Sequence, residues 1–147
     1  MLKALVAIAL LAALNSSCIG AGERPDLRAT HAYLAPAVSI AGDLVIYSSA
    51  HPETVADVPF IDGVKKALEK LDADILLAIE QGRTTVDARE LLSVLDIATM
   101  KLLEAPNPRV GQLAIGLRGA LLAFRMMLDG KDPPPMTTPP VENTTPS

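Results

Sequence analysis

Apolar residues recur at helical spacing along most of this chain, and prolines and glycines divide the pattern into separate segments. Positions three and four residues apart share one face of an α-helix, so each apolar stripe predicts a helix with one buried face. Half of the 147 residues are hydrophobic, but only 3% are aromatic, so any core must consist mainly of Leu, Ile, Val and Ala. This composition favours helices over sheets.

The first two stripes are bounded by proline and glycine. One extends from Asp26 to about Ser49, with a break expected near Ala35 because Pro36 cannot donate a backbone hydrogen bond. The next begins near Pro59 and ends at Gly82, a predicted left-handed helix cap. The apolar positions are Leu34, Val38, Ala41, Val45 and Ser48 in the first stripe, and Ile61, Val64, Leu68, Leu71, Ile75 and Ile79 in the second.

Two further stripes begin with residues that favour helix starts. Thr84-x-x-Asp87 resembles a capping box and predicts the start of a third helix. Asn107-Pro108 places an N-cap before a proline at the first helical position, and Gly130 ends this fourth helix. The apolar positions are Leu91, Val94, Leu95, Ala98 and Leu102, and then Val110, Leu113, Leu117, Leu121, Phe124 and Leu128.

These segments predict an all-α fold over residues 26–130, an up-and-down bundle of about four helices. Short connections between the last three helices make consecutive helices antiparallel neighbours. The fourth stripe is long enough to cross a membrane, but Arg118 and Arg125 lie within it, so we expect a bundle helix instead. The apolar stripes could be buried within a monomer or between the subunits of a homo-oligomer, and the sequence does not distinguish the two.

The N-terminus has the pattern of a signal peptide over residues 1–17. A positive Met1–Lys3 precedes the uninterrupted apolar segment Ala4–Leu14, and the small polar residues Asn15–Ser17 follow. As a helix the apolar segment would rise only about 16 Å, well short of a hydrocarbon core of roughly 30 Å. We therefore expect this signal helix to be removed.

The only cysteine, Cys18, comes directly after the predicted signal peptide. The stretch Leu14-Asn15-Ser16-Ser17-Cys18 resembles the lipobox of bacterial lipoproteins, although Asn15 stands in the usual leucine position. The resemblance implies a lipidated Cys18 as the mature N-terminus, a tether over residues 18–25, and anchoring at the periplasmic side of the outer membrane. The alternatives are a secretory signal without lipid, which would leave a secreted or periplasmic protein, or an uncleaved or buried apolar helix.

Residues 131–147 are rich in proline and threonine and contain almost nothing apolar, so we expect a disordered, extended tail. Such a tail is usually a spacer. Its Pro-Pro steps could alternatively form a stiff polyproline arm that docks on a partner.

No catalytic or metal-binding pattern occurs in the sequence. The only histidines are His31 and His51, there is no cysteine pair, and no phosphate-binding or nucleophile motif is present. The net charge of −4 is spread along the chain, which argues against nucleic-acid binding. We expect a non-enzymatic protein without cofactor or metal.

Four residues are candidate partner contacts. Tyr33 and Tyr47 are two heptads apart, and Met126 and Met127 could provide an adaptable apolar surface. In each case packing in the core is the simpler interpretation.

Two functional classes remain. The first is a lipid-anchored envelope protein whose bundle is a structural or protein-binding module in the periplasm, and the second is an exported bundle that binds a small molecule between its helices. Within the first class, the chain loosely resembles lipoproteins of bacteriophages and prophages, including outer spanins and superinfection-exclusion proteins. Outer spanins are commonly shorter and proline-rich over more of their length.

Overall fold

The computed structural model describes residues 26–133, which form a bundle of antiparallel helices without strands in that range. The helices are α1 (Leu27–Ala32), α2 (Ala35–Ala50), α3 (Val58–Glu80), α4 (Arg89–Leu103) and α5 (Pro108–Leu128), with a short 3-10 helix at Pro52–Thr54. The predicted all-α up-and-down bundle is confirmed. The predicted signal peptide, the tether with Cys18, and residues 134–147 of the predicted tail lie outside the described residues.

The first helix is bent, as the sequence predicts. A turn at Tyr33 and Leu34 separates α1 from α2, and Pro36 lies in the first turn of α2, where its missing N–H is tolerated. The Asp26 carboxylate accepts a hydrogen bond from the backbone N–H of Arg28 at 3.0 Å and so caps α1. The break near Ala35 is therefore confirmed.

Glycines end two of the helices in the same way. Gly82 after α3 has φ 66° and Gly130 after α5 has φ 70°, the left-handed conformation that glycine adopts without a steric cost. At the end of α3 the Arg83 N–H donates to the Ala78 carbonyl, and at the end of α5 the Lys131 N–H donates to the Met126 carbonyl. Both are Schellman caps, which satisfy carbonyls that the helix leaves without a partner.

The start of α5 is fixed by Asn107. Its side-chain oxygen accepts from the backbone N–H groups of Arg109 and Val110 at 2.9 and 3.2 Å, which confirms the predicted N-cap. The Asn107 amide nitrogen also donates to the hydroxyl of Tyr47 near the end of α2, at 3.2 Å. One side chain therefore caps α5 and joins it to α2.

The start of α4 differs from the prediction, because Thr84 does not cap a helix. Residues 85–88 have no regular secondary structure, and α4 begins at Arg89 without a side-chain cap at the preceding Ala88. Asp87 lies before the helix rather than inside it and accepts from the backbone N–H of Arg89 at 3.3 Å. The Arg89 guanidinium also donates to Asp87, and these hydrogen bonds lower the pKa of that carboxyl. The capping-box interpretation is therefore wrong.

The core lies where the four long helices meet. Each of them packs against its neighbours in sequence, α5 closes the bundle against α2, and α1 packs on α3 and α5. The largest fully buried side chains are Phe124, Leu34, Leu44, Ile61, Leu68, Leu71, Ile75, Leu95, Leu102, Leu117, Val64 and Val110. With a single phenylalanine among them, the core is aliphatic, as the composition requires.

Two residues of the predicted stripes do not face the core. Val38 on α2 is 45% exposed and Val94 on α4 is 43% exposed. On α2, apolar residues occur on all sides of the helix, so periodicity alone cannot identify the buried face. The buried side of α2 follows Ala37, Ala41 and Leu44 instead.

Two segments of the described chain are long and apolar enough to cross a membrane. They are Leu27–Ala50, which includes the bend, and Pro108–Leu128, each with a mean hydropathy of 1.2. Core helices of soluble proteins satisfy the same criteria, and both segments here contribute buried residues to the bundle core.

We predict that Asn107→Ala lowers the free energy of unfolding by about 1–2 kcal/mol, because it removes the cap of α5 and the bond to Tyr47. Asn107→Asp is the matched control, since it keeps an acceptor for the two N–H groups and should lose less. Urea unfolding followed by far-UV circular dichroism measures both. Equal stability of Asn107→Ala and wild type would contradict this role.

Alanine substitutions at two glycines should have opposite effects. Gly42 lies within α2 with no atom within 4 Å of an added Cβ, so Gly42→Ala should raise the free energy of unfolding by about 0.5–1 kcal/mol. Gly82→Ala should lower it by about 1–2 kcal/mol, because alanine is strained at positive φ. Chemical denaturation of the two variants tests the difference, and changes of the same sign would refute it.

Candidate functional site

The two histidines have structural partners. His31 Nε2 lies 2.6 Å from the Asp72 carboxylate, which joins α1 to α3. The His51 ring stacks on Tyr47 with a centroid separation of 3.8 Å, and its Nδ1 lies 2.8 Å from the Tyr47 carbonyl oxygen. Within residues 26–133, no three His, Cys, Asp or Glu side chains are grouped so that they could hold a metal ion.

The four candidate partner contacts are only partly exposed. Tyr33 and Tyr47 pack against the core, and Tyr47 is also held by Asn107 and His51. Met126 and Met127 are half-buried near the end of α5. Tyr47 lies beside Asn107 at the start of α5, at the opposite end of that helix from Met126 and Met127. The largest exposed apolar side chains lie elsewhere.

A groove of about 330 Å³ lies between α4 and α5. Its floor contains the buried Leu121 and Thr99, and Met100 and Leu122 form its walls with 59% and 58% of their surfaces exposed. Ile115, which is 65% exposed, lies one helical turn before Arg118 on α5. The remaining lining residues are Asp96, Leu103, Arg118 and Arg125.

Arg125 closes one end of this groove. Its Nη2 donates to the Asp96 carboxylate and, at 3.1 Å, to the backbone carbonyl of Leu92. The Nε of Arg125 is buried without a hydrogen-bond partner. The ion pair thus fastens α5 to α4 and uses the only acidic side chain that lines the groove.

Arg118 is the second cation of the groove. It lies two turns before Arg125 on the same side of α5, and it forms no ion pair or hydrogen bond with another residue of the described range. The lining therefore has one more cation than anion in a chain whose net charge is −4. This arrangement can bind an anion beside an apolar surface, but it contains no nucleophile with an adjacent base.

Two other hollows lack this combination of charge and apolar surface. The α2–α3 groove of about 420 Å³ is lined mainly by apolar residues, and Lys65 at its edge lies 3.8 Å from Glu69. A hollow of about 400 Å³ at the end of the bundle is lined by the loop before α4 and by Leu27, Leu92 and Leu128. Arg89 at the edge of that hollow is paired with Asp87.

Sequence reasoning missed the α4–α5 groove because its residues belong to no motif. From the sequence, Arg118 and Arg125 argue only against a membrane span. The seven-residue spacing of the two arginines places them on one side of a helix, which is a usable signal. Which residues of α4 face the two arginines depends on the register of α4 against α5, and the periodicity of the sequence does not determine that register.

We expect a double-mutant cycle on Asp96→Ala and Arg125→Ala to give a coupling energy of about 0.5–1 kcal/mol, which salt reduces. Both side chains are partly exposed, so solvent screens their attraction. The exposed Lys70–Asp74 pair on α3 is the control, and its coupling should be smaller. A coupling at Asp96–Arg125 no larger than the control would show that this pair does not fasten α5 to α4.

Comparisons with known proteins give no relative for this chain. No family model matches it, and the searches of curated proteins and of solved structures found no significant match.

Proposed function

We propose that this protein is a non-enzymatic, lipid-anchored envelope protein whose helical bundle is a binding module on the periplasmic side of the outer membrane. The observation that carries the proposal is the position of the single cysteine. Cys18 follows the apolar segment Ala4–Leu14 after Asn15 and two small serines, Ser16 and Ser17. A lone thiol cannot form an intramolecular disulfide, whereas a cysteine at this position is the acceptor of lipid in bacterial lipoproteins.

The described domain is compatible with such an anchor. Asp26 caps the first helix eight residues after Cys18, so the tether of residues 18–25 would hold the bundle within about 29 Å of the lipid. Several acyl chains would make the attachment stable, since one chain alone binds a membrane only marginally.

Exposed apolar side chains on the surface of the bundle support a binding role. Met100, Ile115 and Leu122 are more than half exposed on the adjoining helices α4 and α5. Exposed apolar side chains that lie together mark surfaces for partners or ligands more often than scattered ones do.

The test is the mass of the N-terminal peptide from protein expressed in a Gram-negative host. We expect a diacylglyceryl adduct on Cys18 and recovery of the protein in the membrane fraction. Cys18→Ala should move the protein to the soluble periplasmic fraction. Ser39→Ala, an exposed substitution on α2 outside the lipobox, is the control and should remain in the membrane fraction.

Two results would refute the anchor. Cleavage without lipid would leave a soluble exported protein, and an intact Met1 would exclude removal of a signal peptide. Either result would leave the binding role of the bundle to be tested separately.

A further inference from the structure

We propose that the α4–α5 groove binds a single-chain anionic amphiphile, with its hydrocarbon chain on the apolar floor and its head group at Arg118. A fatty acid carboxylate and an alkyl phosphate share this chemistry. The inference goes beyond the envelope role, and it does not depend on a lipid at Cys18.

The floor of the groove suits a hydrocarbon chain. Leu121 is buried there, Leu103 is half-buried, and Thr99 donates its hydroxyl to the Leu95 carbonyl of its own helix at 2.6 Å. The Thr99 hydroxyl therefore already has a partner when an apolar chain covers the floor, and the buried Arg125 Nε without a partner lies at the end of the groove that is occupied by the Asp96–Arg125 pair. The apolar chain would also remove from water the exposed walls formed by Met100 and Leu122.

The charge of the groove selects an anionic head group. Helix α5 carries three arginines and no acidic residue. Asp96 on the opposite wall is bound to Arg125, so Arg118 is the cation of the groove that has no ion pair with any residue in the range 26–133. A guanidinium binds a carboxylate or phosphate through two parallel hydrogen bonds, so Arg118 is suited to hold either head group.

The size of the groove favours one chain over two. Its lining extends from Asp96 to Leu103 on α4, which corresponds to about 10 Å along the helix axis. A volume of about 330 Å³ lies at the small end of the roughly 300–1,000 Å³ typical of ligand sites. The unbranched Met100 can adjust its shape to an acyl chain that slides along the groove.

The binding test uses the full chain with Cys18→Ala, purified without detergent, so that no attached lipid competes for the groove. Titration calorimetry compares dodecanoate, dodecyl phosphate, dodecyl maltoside and dodecyltrimethylammonium, each below the concentration at which it forms micelles, and inorganic phosphate alone. We expect saturable binding of one or both anionic amphiphiles, about tenfold or more tighter than the uncharged and cationic compounds. The preferred anion identifies the head group.

Two pairs of variants assign the site. Arg118→Gln should weaken binding of the anionic amphiphiles by about tenfold, whereas Arg109→Gln, the same change at the exposed start of α5, should not. Leu122→Gln should weaken all the dodecyl compounds, whereas Ile46→Gln on the exposed side of α2 should not. Because all four side chains are exposed at the surface, we expect these variants to fold, which circular dichroism checks.

Several outcomes would overturn the proposal. These are equal affinity for dodecyl maltoside and dodecanoate, equal loss in Arg118→Gln and Arg109→Gln, and absence of saturable binding by either anionic amphiphile. Binding of inorganic phosphate as tightly as dodecyl phosphate would also refute it, because the hydrocarbon chain would then contribute nothing. None of these results bears on the modification of Cys18, which mass spectrometry measures separately.

Discussion

Burial of aliphatic side chains between four helices is the interaction on which the rest of this structure depends. The ion pairs of the described residues all include solvent-exposed side chains, and such pairs contribute little to stability. Apolar burial, by contrast, is roughly proportional to the area removed from water, and every long helix contributes buried residues to one continuous core. The position of each surface groove follows from how these helices pack.

The sequence predicted the helix ends best where local chemistry determines them. Pro36, Gly82, Asn107 and Gly130 each impose a backbone constraint that acts within a few residues, and all four have the expected effect. The predicted start of α4 was wrong because a capping box specifies only two residues, and their side chains can satisfy the same backbone groups outside a helix. Asp87 does this by bonding to the Arg89 N–H.

The candidate site could not be predicted to the same degree, because it depends on contacts between helices. Periodicity identifies a helix but does not determine its rotation when apolar residues surround it, as on α2. The helices also differ in charge: α3 and α4 carry charges of both signs, α2 carries only Asp43, and the charges of α5 are all positive. The difference in charge can be read from the sequence. It indicates an anion-binding groove only once the structure shows that α5 packs against α4 and does not face a bilayer.

The bond between Tyr47 and Asn107 has a consequence for optical studies of this protein. The chain contains no tryptophan and two tyrosines, of which Tyr33 lies in the turn just before α2 and Tyr47 near the end of α2. Tyr33 adjoins the bend after α1, whereas Tyr47 contacts His51 and the start of α5. In a chain with Tyr33→Phe, near-ultraviolet absorption and fluorescence would come mainly from the junction of α2 with α5. The protein thus contains an intrinsic probe at each end of one helix, and fraying at one end can be distinguished from fraying at the other without an added label.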